Sequence, residues 1–147
     1  EAHAKRITAA GKTLISLGGD HFVTLPLLRG HAAVHGKLAL IHFDAHTDTW
    51  PDDGERLDHG SMFRRAVTEG WIDPAASSQI GIRTWNDDTM GLDVVDAPWV
   101  HEHGTAATIG GLSGRVRRLQ TGFTRSYALS MLGGAALVAV ALVLVRL

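Results

Sequence analysis

An α/β fold with a parallel sheet, followed by a hydrophobic C-terminal helix, is predicted by three features of this sequence. Strand and helix signals alternate through the first 104 residues. The strand-like runs are continuous and apolar, as expected for strands covered on both faces. The third feature is the tail, where Ala128–Val145 runs 18 residues without a charge.

The elements come in order. KTLISL (Lys12–Leu17) is an apolar run ending at Gly18-Gly19 and predicts a first strand. Phe22 to His35 reads as a helix, with Pro26 placed where a first turn accommodates it and Gly36 as the stop. KLALIHF (Lys37–Phe43) predicts a second buried strand. The polar loop WPDDGERLD comes next, then a helix from Met62 to Glu69 stopped by Gly70. SQIGIR (Ser78–Arg83) predicts a third strand, and LDVVD followed by APWVHEHG a fourth strand and a short helix.

Composition divides the chain near residue 105. Residues 1–104 hold all 15 acidic groups, all nine histidines and all four tryptophans, with nine Lys/Arg and a formal charge of −6. Residues 105–147 hold five arginines and no acid. The expected organisation is therefore an α/β domain over 1–104, a basic linker over 105–126 and a transmembrane helix over 127–147. Eighteen residues at about 1.5 Å each give about 27 Å, the lower limit for a helical span. Four arginines before it and one after place its N-terminal side in the cytoplasm. The near-neutral overall charge argues against a nucleic-acid partner. Without cysteine, any metal site must use imidazole and carboxylate. The N-terminus is too polar for a signal peptide and lacks Met, so a fragment of a longer protein is expected.

The chemistry is expected where apolar runs end. In a parallel α/β sheet the ligand crevice lies outside the carboxyl ends of the strands. Gly18-Gly19-Asp20-His21 comes after the first predicted strand, and Asp44-Ala45-His46-Thr47-Asp48 after the second. Neighbouring strands would bring His21 and the 44–48 cluster to one edge. Carboxylates and an imidazole at alternate positions can converge on one or two cations, and two cations about 3.5–4 Å apart activate water.

Four ordered motifs carry a resemblance over residues 13–104. SLGGDH (Ser16–His21), HFDAHTD (His42–Asp48), DHGSMFRRA (Asp58–Ala66) and QIGIRT (Gln79–Thr84) resemble the agmatinase branch of the ureohydrolases, which are similar to arginase. The resemblance implies part of a three-layer α/β/α fold and a two-manganese hydrolase of C–N bonds. It implies His21, Asp44 and Asp48 as ligands of one Mn2+, His46 as a ligand of the other, and Asp44 as the bridge. It further implies His59 as the catalytic histidine that positions substrate or passes a proton, and Asp20 as a group orienting a ligand. The implied reaction is hydrolysis of a small guanidino compound, agmatine to putrescine and urea, in the cytoplasm by a homo-oligomer.

His42 is expected to be a packed histidine, and Arg64 and Arg65 a solvated helix face. The family's second ligand motif, a DxD pair followed by DP, has no counterpart. Asp93 and Asp96 are three apart and precede Ala97-Pro98. The second manganese site is therefore expected to be incomplete, with little or no turnover. The tail RVRRLQTGFTRSYALSMLGG (Arg115–Gly134) resembles the end of subunit L, a membrane subunit of bacterial proton-pumping NADH:quinone oxidoreductase. That tail raises two alternatives to the hydrolase reading. One is a membrane-anchored fragment without activity, touching the membrane through 128–145. The other is an artificial junction of two unrelated sequences.

Overall fold

The computed structural model describes residues 1–51, Gly54 and 58–119. The chain divides into two compact units, residues 1–112 and 113–147, and the sheet lies within the first. The segment 128–145 lies outside the described residues. Among the described residues, no helix is long and apolar enough to cross a membrane.

Three strands, β1 (Ile41–Phe43), β2 (Ser78–Ile82) and β3 (Asp93–Asp96), form a parallel sheet in that order. Ile41 pairs with Ser78 and Phe43 with Ile80, while Ser78 pairs with Asp93 and Ile80 with Val95. β2 lies in the centre, and its almost continuous burial explains why SQIGI reads as an unbroken run. The register shifts between Ile80 and Ile82 around Gly81, whose φ of 88° belongs to glycine. A Cβ there would sit 3.4 Å from the Asp44 carbonyl oxygen, so the bulge also admits the loop after β1.

Two of the helices fall where the sequence predicts them. A 3-10 turn at His21–Val23 leads into α2 (Thr24–His35), with Pro26 in the first turn and Gly36 at φ 75° ending it. α3 (Met62–Thr68) buries Met62, Phe63 and Ala66. Its end is closed by Gly70 at φ 77°, with the N–H groups of Trp71 and Ile72 donating to the Ala66 carbonyl. The core is formed by Leu25, Met62, Phe63, Ala66, Ile72 and Leu92. The last described helix, α4 (Ala97–Leu119), is broken at Gly104 (φ 77°).

Several expectations fail here. The run Lys12–Leu17 forms no strand and finds no sheet partner among the described residues. Ile15 and Leu17 are 84 % and 98 % exposed. A strand needs a neighbouring backbone about 4.8 Å away, and apolar content alone does not supply one. β1 is likewise shorter than predicted. Of Lys37–Leu40, only Leu38 forms a bridge, to Ile72. Finally, α1 (Ala2–Ala9) is a helix that no signal in the sequence predicts. Its small residue Ala4 packs on Gly30 of α2, where a Cβ would come within 2.7 Å of the Ala4 Cβ.

Candidate metal centre

The loop after β1 is among the most heavily hydrogen-bonded segments described. Asp44 N–H donates to the Ile80 carbonyl, and the Ala45 carbonyl accepts from the N–H groups of Arg83 and Thr84. Further along, the Thr47 carbonyl accepts from Gln79 Nε2 at 2.6 Å, and Phe63 N–H donates to the Asp48 carbonyl at 3.0 Å. Asn86 Nδ2 donates to the hydroxyls of Thr47 and Thr49 at 2.7 and 2.8 Å. Thr49 Oγ1 in turn donates to the Asp88 carbonyl. This buried network holds Asp48 at φ 52°, a left-handed conformation that aspartate tolerates better than most residues.

The fixed loop presents its carboxylates to His21. His21 Nδ1 lies 3.2 Å from Asp48 Oδ2 and 3.6 Å from Asp44 Oδ2. Asp20 positions His21 by capping the 3-10 turn, accepting from Phe22 N–H at 2.7 Å. The His42 ring stacks on His21 (centroids 5.4 Å apart), and Phe63 packs edge-on against both histidines. The apolar core thus forms the floor of the site. His21, His42, Asp44 and Asp48 each bring a ligand atom within 4.8 Å of the others.

His46 stands on the other side of Asp44. Its backbone N–H and its Nδ1 lie 3.0 and 3.2 Å from Asp44 Oδ1, whereas His21 faces Oδ2. Asp44 therefore offers one oxygen to each side.

The electrostatics are those of a site suited to a cation. Burial pushes Asp48 above the usual carboxylate range, and His21 offsets this only in part. Its Oδ2 is buried and has no hydrogen bond, since His21, although close, is out of bonding geometry. Burial also acts upward on Asp44, but the N–H groups of His46 and Ala45 and the neighbouring His42 outweigh it and hold its pKa low. Burial lowers His42 to about 4, against the pull of Asp44, so it is neutral near pH 7.

Of the predicted residues, the fold gathers His21, Asp44 and Asp48 at one point, with His46 adjoining. His59 lies in the loop before α3, its Nδ1 3.0 Å from Asp20 Oδ1. Asp20 thus serves His59 and the turn cap rather than the ring of His21. Asp93 and Asp96 stay away from the cluster. Asp93 accepts from Ser78 Oγ, and Asp96 accepts from Trp99 N–H at the start of α4.

The sequence expectation misses the part played by His42, which is packed as predicted but also faces Asp44 Oδ2 at 3.5 Å. It also misses Gln79, fully buried beside His42. The alternation of His42 with Asp44 and His46 is the available signal for the first, and a glutamine within a buried strand for the second. Arg64 is not a solvated residue, because it donates to the Thr49 carbonyl and to Asp88 Oδ2. Arg65 is largely covered and donates to the Gly54 carbonyl.

Comparison with known proteins supplies a family and a fold. The model of the arginase family matches residues 1–140, and so runs past the change of composition near residue 105. An agmatinase of Chromobacterium violaceum is 62 % identical over 109 residues, covering 73 % of this chain and 34 % of its own. A crystal structure described as a hypothetical agmatinase from Burkholderia thailandensis superposes with a TM-score of 0.75 at 55 % identity, over 78 % of this chain and 37 % of that one. Proclavaminate amidino hydrolase from Streptomyces clavuligerus matches at 42 % identity and TM-score 0.61, over 67 % and 36 %. The chain spans about a third of the length of the agmatinases it matches.

Proposed function

The chain belongs to the arginase family, and we propose that it carries one wall of the metal centre of a manganese-dependent hydrolase of guanidino compounds. Agmatine, cleaved to putrescine and urea, is the substrate this reading favours. It rests on Asp44, which turns one oxygen toward His21 and Asp48 and the other toward His46. That two-sided placement suits a carboxylate shared between two cations.

The residues fit Mn2+. Two carboxylates and the His21 imidazole meet around a buried Asp48 oxygen that has no hydrogen bond, and such a donor set calls for positive charge. His21, Asp44 and Asp48 would hold one ion, and Asp44 and His46 would contribute to a second. When bound, two such ions supply Lewis acidity and an activated water for attack on the guanidinium carbon. The chain's own residues do the rest. Phe63 closes the floor against water, and the Thr47–Thr49–Asn86 network keeps Asp48 fixed while charge builds up beside it. Asp20 accepts from His59 Nδ1, leaving Nε2 as the nitrogen that takes up and passes on a proton.

The DxD pair of the family has no counterpart among the described residues, so the 147-residue chain alone is expected to bind Mn2+ and to release little urea. A cytoplasmic homo-oligomer is the setting this reading implies for the intact enzyme. The test combines Mn2+ equilibrium dialysis with urea release from agmatine, for the wild-type chain and His21→Ala. Saturable Mn2+ binding that disappears in the variant supports the reading. Identical binding by the two chains would sink it.

A further inference from the structure

Gln79 and His42 are buried and adjacent on neighbouring strands, and neither has a part in the proposed reaction. The Gln79 amide is oriented without ambiguity. The atom 2.6 Å from the Thr47 carbonyl must be the nitrogen, because a carbonyl oxygen only accepts. That same nitrogen lies 3.2 Å from His42 Nδ1, so its second N–H is directed at the ring, and Nδ1 is the acceptor. A neutral imidazole accepting at Nδ1 carries its proton on Nε2. Nε2 is buried, makes no hydrogen bond, and faces Asp44 Oδ2 at 3.5 Å.

We propose that Gln79 fixes His42 in the Nε2–H tautomer, and that this N–H aims the Oδ2 oxygen of Asp44 toward His21 and Asp48, making His42 a positioning residue for the metal-holding carboxylate. The relay runs by hydrogen bonds from the Thr47 carbonyl through Gln79 to His42, and from His42 Nε2 to Asp44 Oδ2 by electrostatic attraction across 3.5 Å, and so couples the loop backbone to the carboxylate it presents. It rests on the reading of Asp44 as a metal-holding group. A partner of this kind fixes the orientation of a ligand without touching the ion, and its loss typically weakens metal affinity by roughly 10–100-fold.

The first test needs no variant. Long-range 1H–15N correlation spectra of the full chain, metal-free at pH 7.5, assign the His42 tautomer. A proton on Nε2 is expected, and a proton on Nδ1 overturns the proposal. In Gln79→Leu, the ring should lose this single tautomer.

The second test is Mn2+ affinity. His42→Phe is expected to weaken it by roughly 10–100-fold, whereas His42→Gln, which can place an N–H near the position of Nε2, should lose less. Unchanged affinity in His42→Phe, alongside lost binding in Asp44→Ala, overturns the role of His42 and leaves the metal reading standing. Unchanged affinity in Asp44→Ala removes the metal reading, and the relay to it, whatever the tautomer.

Discussion

Two segments deliver side chains to the same point by opposite means. Asp44–Trp50 comes directly after a paired strand and is held by a hydrogen bond to the Ile80 carbonyl and by others from Phe63, Gln79, Arg83 and Asn86. Lys12–Gly19 leads to His21 with no sheet partner among the described residues, and Ile15 and Leu17 are exposed. His21 is placed instead by the Asp20 cap on the turn it opens, by α2 that follows, and by the ring of Phe63. A side chain's position is therefore set by whichever neighbouring segment is anchored. The two flanks should respond differently to perturbation.

The largest effect should come from the floor they share. Phe63→Ala removes a fully buried ring against both histidines and is expected to cost about 3–5 kcal/mol in urea unfolding. A loss below about 1 kcal/mol would mean that the floor is not packed as described.

Acid should strike the anchored side next. His42 has its pKa lowered to about 4 by burial, so the unfolded chain takes up a proton near pH 6.5 that the folded chain refuses. The stability this confers is present above about pH 6.5 and is lost as pH falls toward 4, by roughly 3 kcal/mol. Urea midpoints of the metal-free chain between pH 7 and 4 should show the decline, and His42→Phe should flatten it.

The polar network is the next test of anchoring. Asn86→Ala removes the amide donor shared by the buried Thr47 and Thr49 hydroxyls and should cost about 1–3 kcal/mol. It should also weaken Mn2+ binding, because Asp48 is then less firmly held. At the other extreme, Leu17→Ser on the unpaired segment should change stability by no more than about 0.5 kcal/mol. A loss as large as that of Asn86→Ala would show that Lys12–Leu17 is paired after all.

Asp48 gives the smallest and most diagnostic shift. Its carboxyl is raised by burial, so the folded state favours the protonated form. That contribution is present at low pH and disappears as pH rises through its folded value. Asp48→Asn should therefore raise the melting temperature of the metal-free chain slightly at pH 7 while abolishing Mn2+ binding. A lower melting temperature would mean that the ionised carboxylate is already satisfied without a cation.

Much of this is legible from sequence where local signals and tertiary context agree. Gly36 and Gly70 end their helices as expected, and the parallel strands β2 and β3 lie where continuous apolar runs place them. The alternation Asp44-His46-Asp48 points to the loop whose Asp44 and Asp48 the fold brings beside His21. What fails is whatever depends on a neighbour. Lys12–Leu17 has strand composition without a pairing partner among the described residues, and α1 is too polar to reveal that Ala4 fits against Gly30. Arg64 looks solvated by type, yet the Thr49 carbonyl and Asp88, 15 and 24 residues away, engage it. Gln79 looks like one residue of a strand motif until the Thr47 carbonyl fixes its amide.

The central claim, that His21 and the loop after β1 together form a cation site around Asp44, is tested most directly by one titration. Mn2+ is added to the 147-residue chain and to Asp44→Ala at about pH 7.5, and free Mn2+ is read by its electron paramagnetic resonance signal. The wild-type chain should deplete the signal saturably, and the variant should leave it unchanged. Equal depletion by both chains would contradict the claim.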